Sequence, residues 1–182
     1  MTLITRALII LAGIMALGAM MLTNPDYNRA LRPFTAHAAA GEWARTRLFA
    51  GAMDGWRTAD RISYTAFGSE VTRDSDGVFL IVDVSLSGTS VSTKLSASWK
   101  GSSGREYYTT ARIRDVPGLL EDLWLQPELN SHAIAIFELP KDEVVGGAMR
   151  ISLRLDPDLD GTLMLDPPAG TPPHEALTRF DG

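Results

Sequence analysis

Nine residues, Val78 to Leu86, constrain this fold more than any others. Val78, Leu80, Val82, Val84 and Leu86 place an unbroken apolar row on one face of an extended chain. Phe79 and Ile81 begin the other face, which turns polar at Asp83, Ser85 and Ser87. Side chains alternate with period two along a strand, so a strand of this pattern packs one whole face on a core.

The same logic repeats downstream. Leu95, Ala97 and Trp99 alternate with Lys94, Ser96, Ser98 and Lys100, and Gly101-Ser-Ser-Gly104 then reads as a hairpin loop. Tyr107, Thr109, Ala111 and Ile113 share one side of Glu106 to Arg114. Ala133 to Leu139 is a nearly continuous apolar run bounded by Asn130-Ser131 and Pro140, which predicts a buried strand. Met149, Ile151, Leu153 and Leu155 alternate with Arg150, Ser152 and Arg154, and a short strand follows at Thr162 to Leu165. Upstream, Arg45 to Ala50 and Trp56 to Phe67 are strand candidates joined by Asp54-Gly55, a turn-forming pair, with a second turn at Asp74 to Gly77. Val116 to Pro127 differs. Its Leu119, Leu120, Leu123 and Trp124 sit at helical spacing between prolines, which predicts a short helix or an ordered loop. Seven or eight short strands without alternating helices predict an all-β sandwich over residues 43–166.

Two flanks complete the organisation. Ala7 to Leu22 carries no charge. Its length, roughly 24 Å as a helix, approaches a hydrocarbon core once the uncharged residues around it are added. No small-x-small cleavage site follows closely; Ala36-His37-Ala38 lies far downstream. The expectation is an uncleaved anchor over residues 1–24, amino terminus inside, with the large domain outside the cytoplasm. Ala12, Ala16 and Ala19 share one helix face, with Gly13 adjacent. Small residues let a second transmembrane helix approach closely, from a membrane-protein partner or another copy of this chain. Residues 25–42 read as a juxtamembrane linker, with a helical turn at Ala36 to Ala40 and a solvated His37. The proline-rich residues 167–182 read as a mobile tail.

Charge and composition narrow the function. The net charge is -5 and the basic residues are scattered, so no phosphate-binding face for nucleic acid is expected. There is no cysteine, which excludes disulfides, thiolate metal sites and cysteine nucleophiles.

From Gly77 onward the chain resembles a family of bacterial secreted Ig-like domains of the immunoprotective extracellular antigen type. Three pieces carry the resemblance: Gly77-Val-Phe-Leu-Ile-Val-Asp-Val-Ser-Leu-Ser, Gly104-Arg-Glu-Tyr107, and Ile136-Phe-Glu-Leu-Pro-Lys-Asp142. Two positions depart from the pattern. Ser87-Gly88 stands where asparagine is usual, and Glu128 where glycine follows the proline. The resemblance implies an immunoglobulin-like sandwich in an extracytoplasmic compartment. It brings no common catalytic residues.

Few constellations suggest chemistry. Asp156, Asp158 and Asp160 followed by Gly161 have the spacing that opens a calcium loop, but position twelve is Pro167 where a bidentate glutamate belongs. A plain turn is expected there. Ser, His and Asp are all present, yet no Gly-x-Ser-x-Gly elbow occurs. His132 opens a strand and His174 lies in the tail. Glu121, Asp122 and Trp124 are the candidate partner surface, although the leucines around them are expected to cap one end of the sandwich. The expected function is a non-catalytic accessory subunit, held at the inner membrane with its domain in the periplasm and needing no cofactor. A free-standing ligand or calcium sensor is the alternative, and a hydrolase a more distant one.

Overall fold

The computed structural model describes residues 3–23, 34–154 and 161–180. Among the described residues, helix α1 (Leu3–Thr23) precedes twelve strands. They are β1 (Thr35–Ala38), β2 (Ala44–Arg45), β3 (Phe49–Ala66), β4 (Ser69–Gly88), β5 (Thr93–Lys100) and β6 (Glu106–Tyr108). Then come β7 (Trp124–Leu125), β8 (Asn130–Leu139), β9 (Ala148–Leu153), β10 (Thr162–Leu165), β11 (His174–Glu175) and β12 (Thr178–Phe180). One sheet runs β1-β10-β9-β5-β6, with β7 also on β5. The other runs β11-β3-β4-β8, with β2 and β12 also on β3. The two sheets form a β-sandwich.

The β4 row does what its periodicity requires. Val78, Leu80, Val82, Val84 and Leu86 join one core with Leu95, Ala97 and Trp99 of β5, Met149, Ile151 and Leu153 of β9, and Phe137 of β8. Trp99 is fully buried, stacks on Trp56 with centroids 5.9 Å apart, and lies 6.3 Å from Phe137. Its indole N–H donates to the Glu143 carbonyl at 2.9 Å, as a buried tryptophan requires.

The opposite face of the second sheet is also covered. Phe79, Ile81 and Ile136 pack with Ile62 and Tyr64 of β3 under Ile113 and Val116, from the segment linking β6 to β7. That segment is tied down by backbone bonds from Thr110 N–H to the Ile136 carbonyl and from Ile134 N–H to the Gly118 carbonyl.

Several expectations change. Asp54-Gly55 is a bulge within β3, not a turn: Met53 pairs with Val84 and Gly55 with Asp83. Both flanks pair with the same strand, so no reversal occurs. Asp74 to Gly77 also lies inside a strand. Ala59 pairs with Phe79 and Arg61 with Asp74, so Ser75 to Val78 have no partner on β3 opposite Asp60, while Val78 stays paired with Leu139 of β8. The reversal is at Phe67-Gly68, between the paired residues Ala66 and Ser69. The Glu106 strand stops at Tyr108, because the chain leaves β5 to cover the second cluster. Val116 to Pro127 is an ordered loop containing β7 and no helix.

The linker and tail assignments need the same correction. Thr35–Ala38 is no helical turn; it pairs in parallel with β10, so the sandwich begins before residue 43. The tail beyond Pro173 pairs with β3: His174 with Thr58, and Thr178 to Phe180 with Ile62 to Tyr64. Proline forbids only its own N–H bond, and the open edge of β3 supplies partners for the other residues.

Candidate functional site

The two ends of the sandwich differ in what they expose. The described chain of the sandwich begins at Phe34, whose carbonyl accepts from Thr162 N–H at 3.1 Å. Gly161 lies against Thr46, which is bonded to Phe49 at the start of β3. Trp43, just before β2, and Val91, Trp124 and Leu129, around the start of β5, are near this end. All four are exposed, as is Phe34. Helix α1 is long and apolar enough to cross a membrane, a description a signal sequence also meets, and none of its apolar window is buried.

The far end is the tip of the β3–β4 hairpin. Phe67 and Gly68 both have positive φ, 52° and 77°. That is the pattern of a two-residue hairpin turn of the kind normally filled by Asn-Gly. Glycine meets it without strain; phenylalanine does not. Phe67 is 98% exposed. Beside it opens a cleft of about 660 Å³, lined by the apolar Tyr64, Ala66 and Val71 and by Ala111, Arg73, Arg112, Arg114 and Asp115. Arg112 is committed to Glu138 at 2.6 Å and to the Asp74 carbonyl at 3.1 Å. Arg114 donates to the Ala111 carbonyl at 3.1 Å, and the Arg73 side chain makes no hydrogen bond or ion pair among the described residues.

Two hydroxyl–histidine–carboxylate groups form along the second sheet. In the first, Thr58 Oγ1 lies 3.1 Å from His174 Nδ1, and His174 Nε2 lies 3.3 Å from Asp60. Lys141 approaches the same residue's carboxylate at 3.6 Å. The Thr58 hydroxyl is buried against the tail and also lies 3.4 Å from the Pro173 carbonyl. These contacts fasten the tail to β3. A cavity of about 260 Å³ adjoins them, with Val78, Val144 and Pro172 in its walls. In the second group, Ser85 donates to Asp54 at 2.7 Å and lies 3.1 Å from His132 Nδ1. The same Nδ1 is 3.6 Å from Asp54. The carboxylate therefore meets the hydroxyl directly, rather than orienting the histidine from its far nitrogen as a triad does.

Glu143 has a displaced acidity. Its buried carboxylate accepts from Ser103 Oγ at 2.5 Å and Ser103 N–H at 3.0 Å. The Ser103 hydroxyl and then its N–H hold the carboxyl below its ordinary value, with help from Tyr107 and Arg105 and against the cost of desolvation. A Cβ on Gly101 would collide with this carboxylate, so the glycine lets the β5–β6 turn close over it.

The residues singled out by sequence scatter. Ala12, Gly13, Ala16 and Ala19 are exposed on α1. Glu121 turns inward to accept from the Thr109 hydroxyl, whereas Asp122 is exposed and Trp124 sits under Lys94 at 5.3 Å. The three do not form one acidic face. Asp156, Asp158 and Asp160 lie outside the described residues. The sequence reading missed Phe67, Arg73 and Arg114. Phe-Gly is not a recognised turn pair, and only the pairing of Ala66 with Ser69 reveals it.

No family profile and no curated protein matches the chain. Among solved structures it is similar to an uncharacterised β-sandwich protein of Clostridium difficile, at 9% identity and a TM-score of 0.44, over 73% of this chain and 95% of that one. It is similar to the yjhA protein of Bacillus subtilis at 13% identity and 0.45, over 70% and 99%. A candidate lipoprotein of Staphylococcus aureus gives 6% and 0.43, over 76% and 97%. With TM-scores this low, the β-sandwich rests on this chain's own strand pairing.

Proposed function

We propose that the chain is a non-catalytic accessory subunit, anchored in the inner membrane by α1, with an immunoglobulin-like domain in the periplasm that binds another envelope protein. The observation that carries this reading is the exposed, apolar helix α1 together with the individually exposed apolar side chains toward the end of the sandwich where Phe34 lies. Aromatic side chains such as Trp43 and Trp124 suit a membrane–water boundary or a partner's apolar surface. The immunoglobulin-like assignment is supported by strand order. β3-β4-β8 corresponds to strands A-B-E and β10-β9-β5 to G-F-C, with Trp99 on the strand that carries the core tryptophan in such domains.

The test is the state of α1 in the cell. The full chain should stay in carbonate-washed membranes with its amino terminus intact, and protease added from the periplasmic side should digest the sandwich. A soluble product starting beyond residue 23 would contradict the anchor. The cavity beside Thr58 and His174 favours a second reading, a small-ligand sensor. That reading requires a melting shift with a ligand, abolished by Val144→Trp.

A further inference from the structure

The far tip of the hairpin has features that folding does not explain. A phenylalanine occupies a left-handed turn position where asparagine or glycine would be relaxed, and its ring is in water. Strained, exposed aromatics persist where a contact uses them. The cleft behind Phe67 has an apolar part to its lining and three arginines to one aspartate. Arg112 is already paired with Glu138, so Arg73 and Arg114 remain without a carboxylate among the described residues. An aromatic flanked by arginines is the composition of a binding hot spot, and the charge calls for an acidic occupant.

We propose, on the accessory-subunit reading above, that this tip docks an acidic segment of the partner protein. Carboxylates of the segment pair with Arg73 and Arg114, one of its apolar side chains fills the cleft over Tyr64 and Val71, and Phe67 enters a socket on the partner. A protein fits better than a lipid surface for two reasons. The site is concave, and it lies at the opposite end of β3 from Phe34, on the order of 50 Å away for a strand of this length.

The test uses the full chain in detergent and three probes: a short peptide alternating glutamate and leucine, its lysine–leucine counterpart, and phosphatidylglycerol vesicles. The glutamate peptide should bind saturably and lose about tenfold in affinity in the double variant Arg73→Glu, Arg114→Glu. Phe67→Asn should weaken binding several-fold while raising the melting temperature, because asparagine relaxes the turn. A residue kept only for folding cannot give that pair of changes. The docking site is overturned if binding is absent, if neither variant alters it, if the lysine peptide binds equally, or if only the vesicles bind with the same arginine dependence. The two readings fail separately. A native partner retained in full by these variants overturns the docking site and leaves the accessory subunit standing. A chain that purifies without a partner yet binds the peptide does the reverse.

Discussion

One hairpin, β3–β4, serves two regions of unlike construction. From Phe49 to Ala59 it is the middle of a sandwich, where the partner strand β4 sets Leu80, Val82, Val84 and Leu86 against a whole opposing sheet. From Arg61 to Ala66 it is an arm, covered on one face by Ile113 and Val116 and along its edge by β12. Stability follows buried apolar area, so the body should set global unfolding and the arm should open first. The strained turn and Arg73 lie on the arm, and Arg114 on the loop that covers it, so a contact there should cost the fold least.

Emptying the centre of the body should have the largest effect. Trp99→Ala removes the largest buried ring and should cost about 3–5 kcal/mol in denaturant unfolding, lost from all regions together. Ile62→Ala, in the arm, should cost about 2–3 kcal/mol. Its amide exchange should rise mainly from Arg61 to Asp74 while Leu80 to Leu86 stays protected. Uniform loss in both variants would erase the distinction between the regions.

Glu143 belongs to the body and gives a smaller, pH-dependent effect. Its carboxyl is held below the ordinary value of 4.5, so the folded state prefers the ionised form. That stabilisation is complete above 4.5 and fades as pH falls through the lower folded-state value. The melting temperature of the wild type should therefore drop below that pH more steeply than that of Glu143→Gln. Parallel curves would dismiss the Ser103 contacts. The smallest effect returns to the arm: Phe67→Asn should stabilise by about 0.5–1 kcal/mol through relief of the positive φ.

What the sequence made legible was whatever one strand's own pattern decides. The rows on β4, β5 and β9 were readable because each faces a single core. The bulge at Asp54 was not, since Asp-Gly marks turns and bulges alike and only the partner strand separates them. The ordered tail was hidden for a related reason: its partners, Thr58 and Ile62 to Tyr64, lie more than a hundred residues earlier. The arm cleft joins Tyr64 and Arg73 to Arg114 from a separate loop, so no local spacing announces it.

The central claim is that this chain works beside a membrane partner, and co-purification tests it most directly. Extracted in mild detergent, the full chain should carry one partner at fixed stoichiometry. Replacing Ala12, Ala16 and Ala19 by leucine, on one face of α1, should release that partner while the sandwich keeps its melting temperature. A wild-type chain that emerges alone, monomeric and folded, would contradict the account.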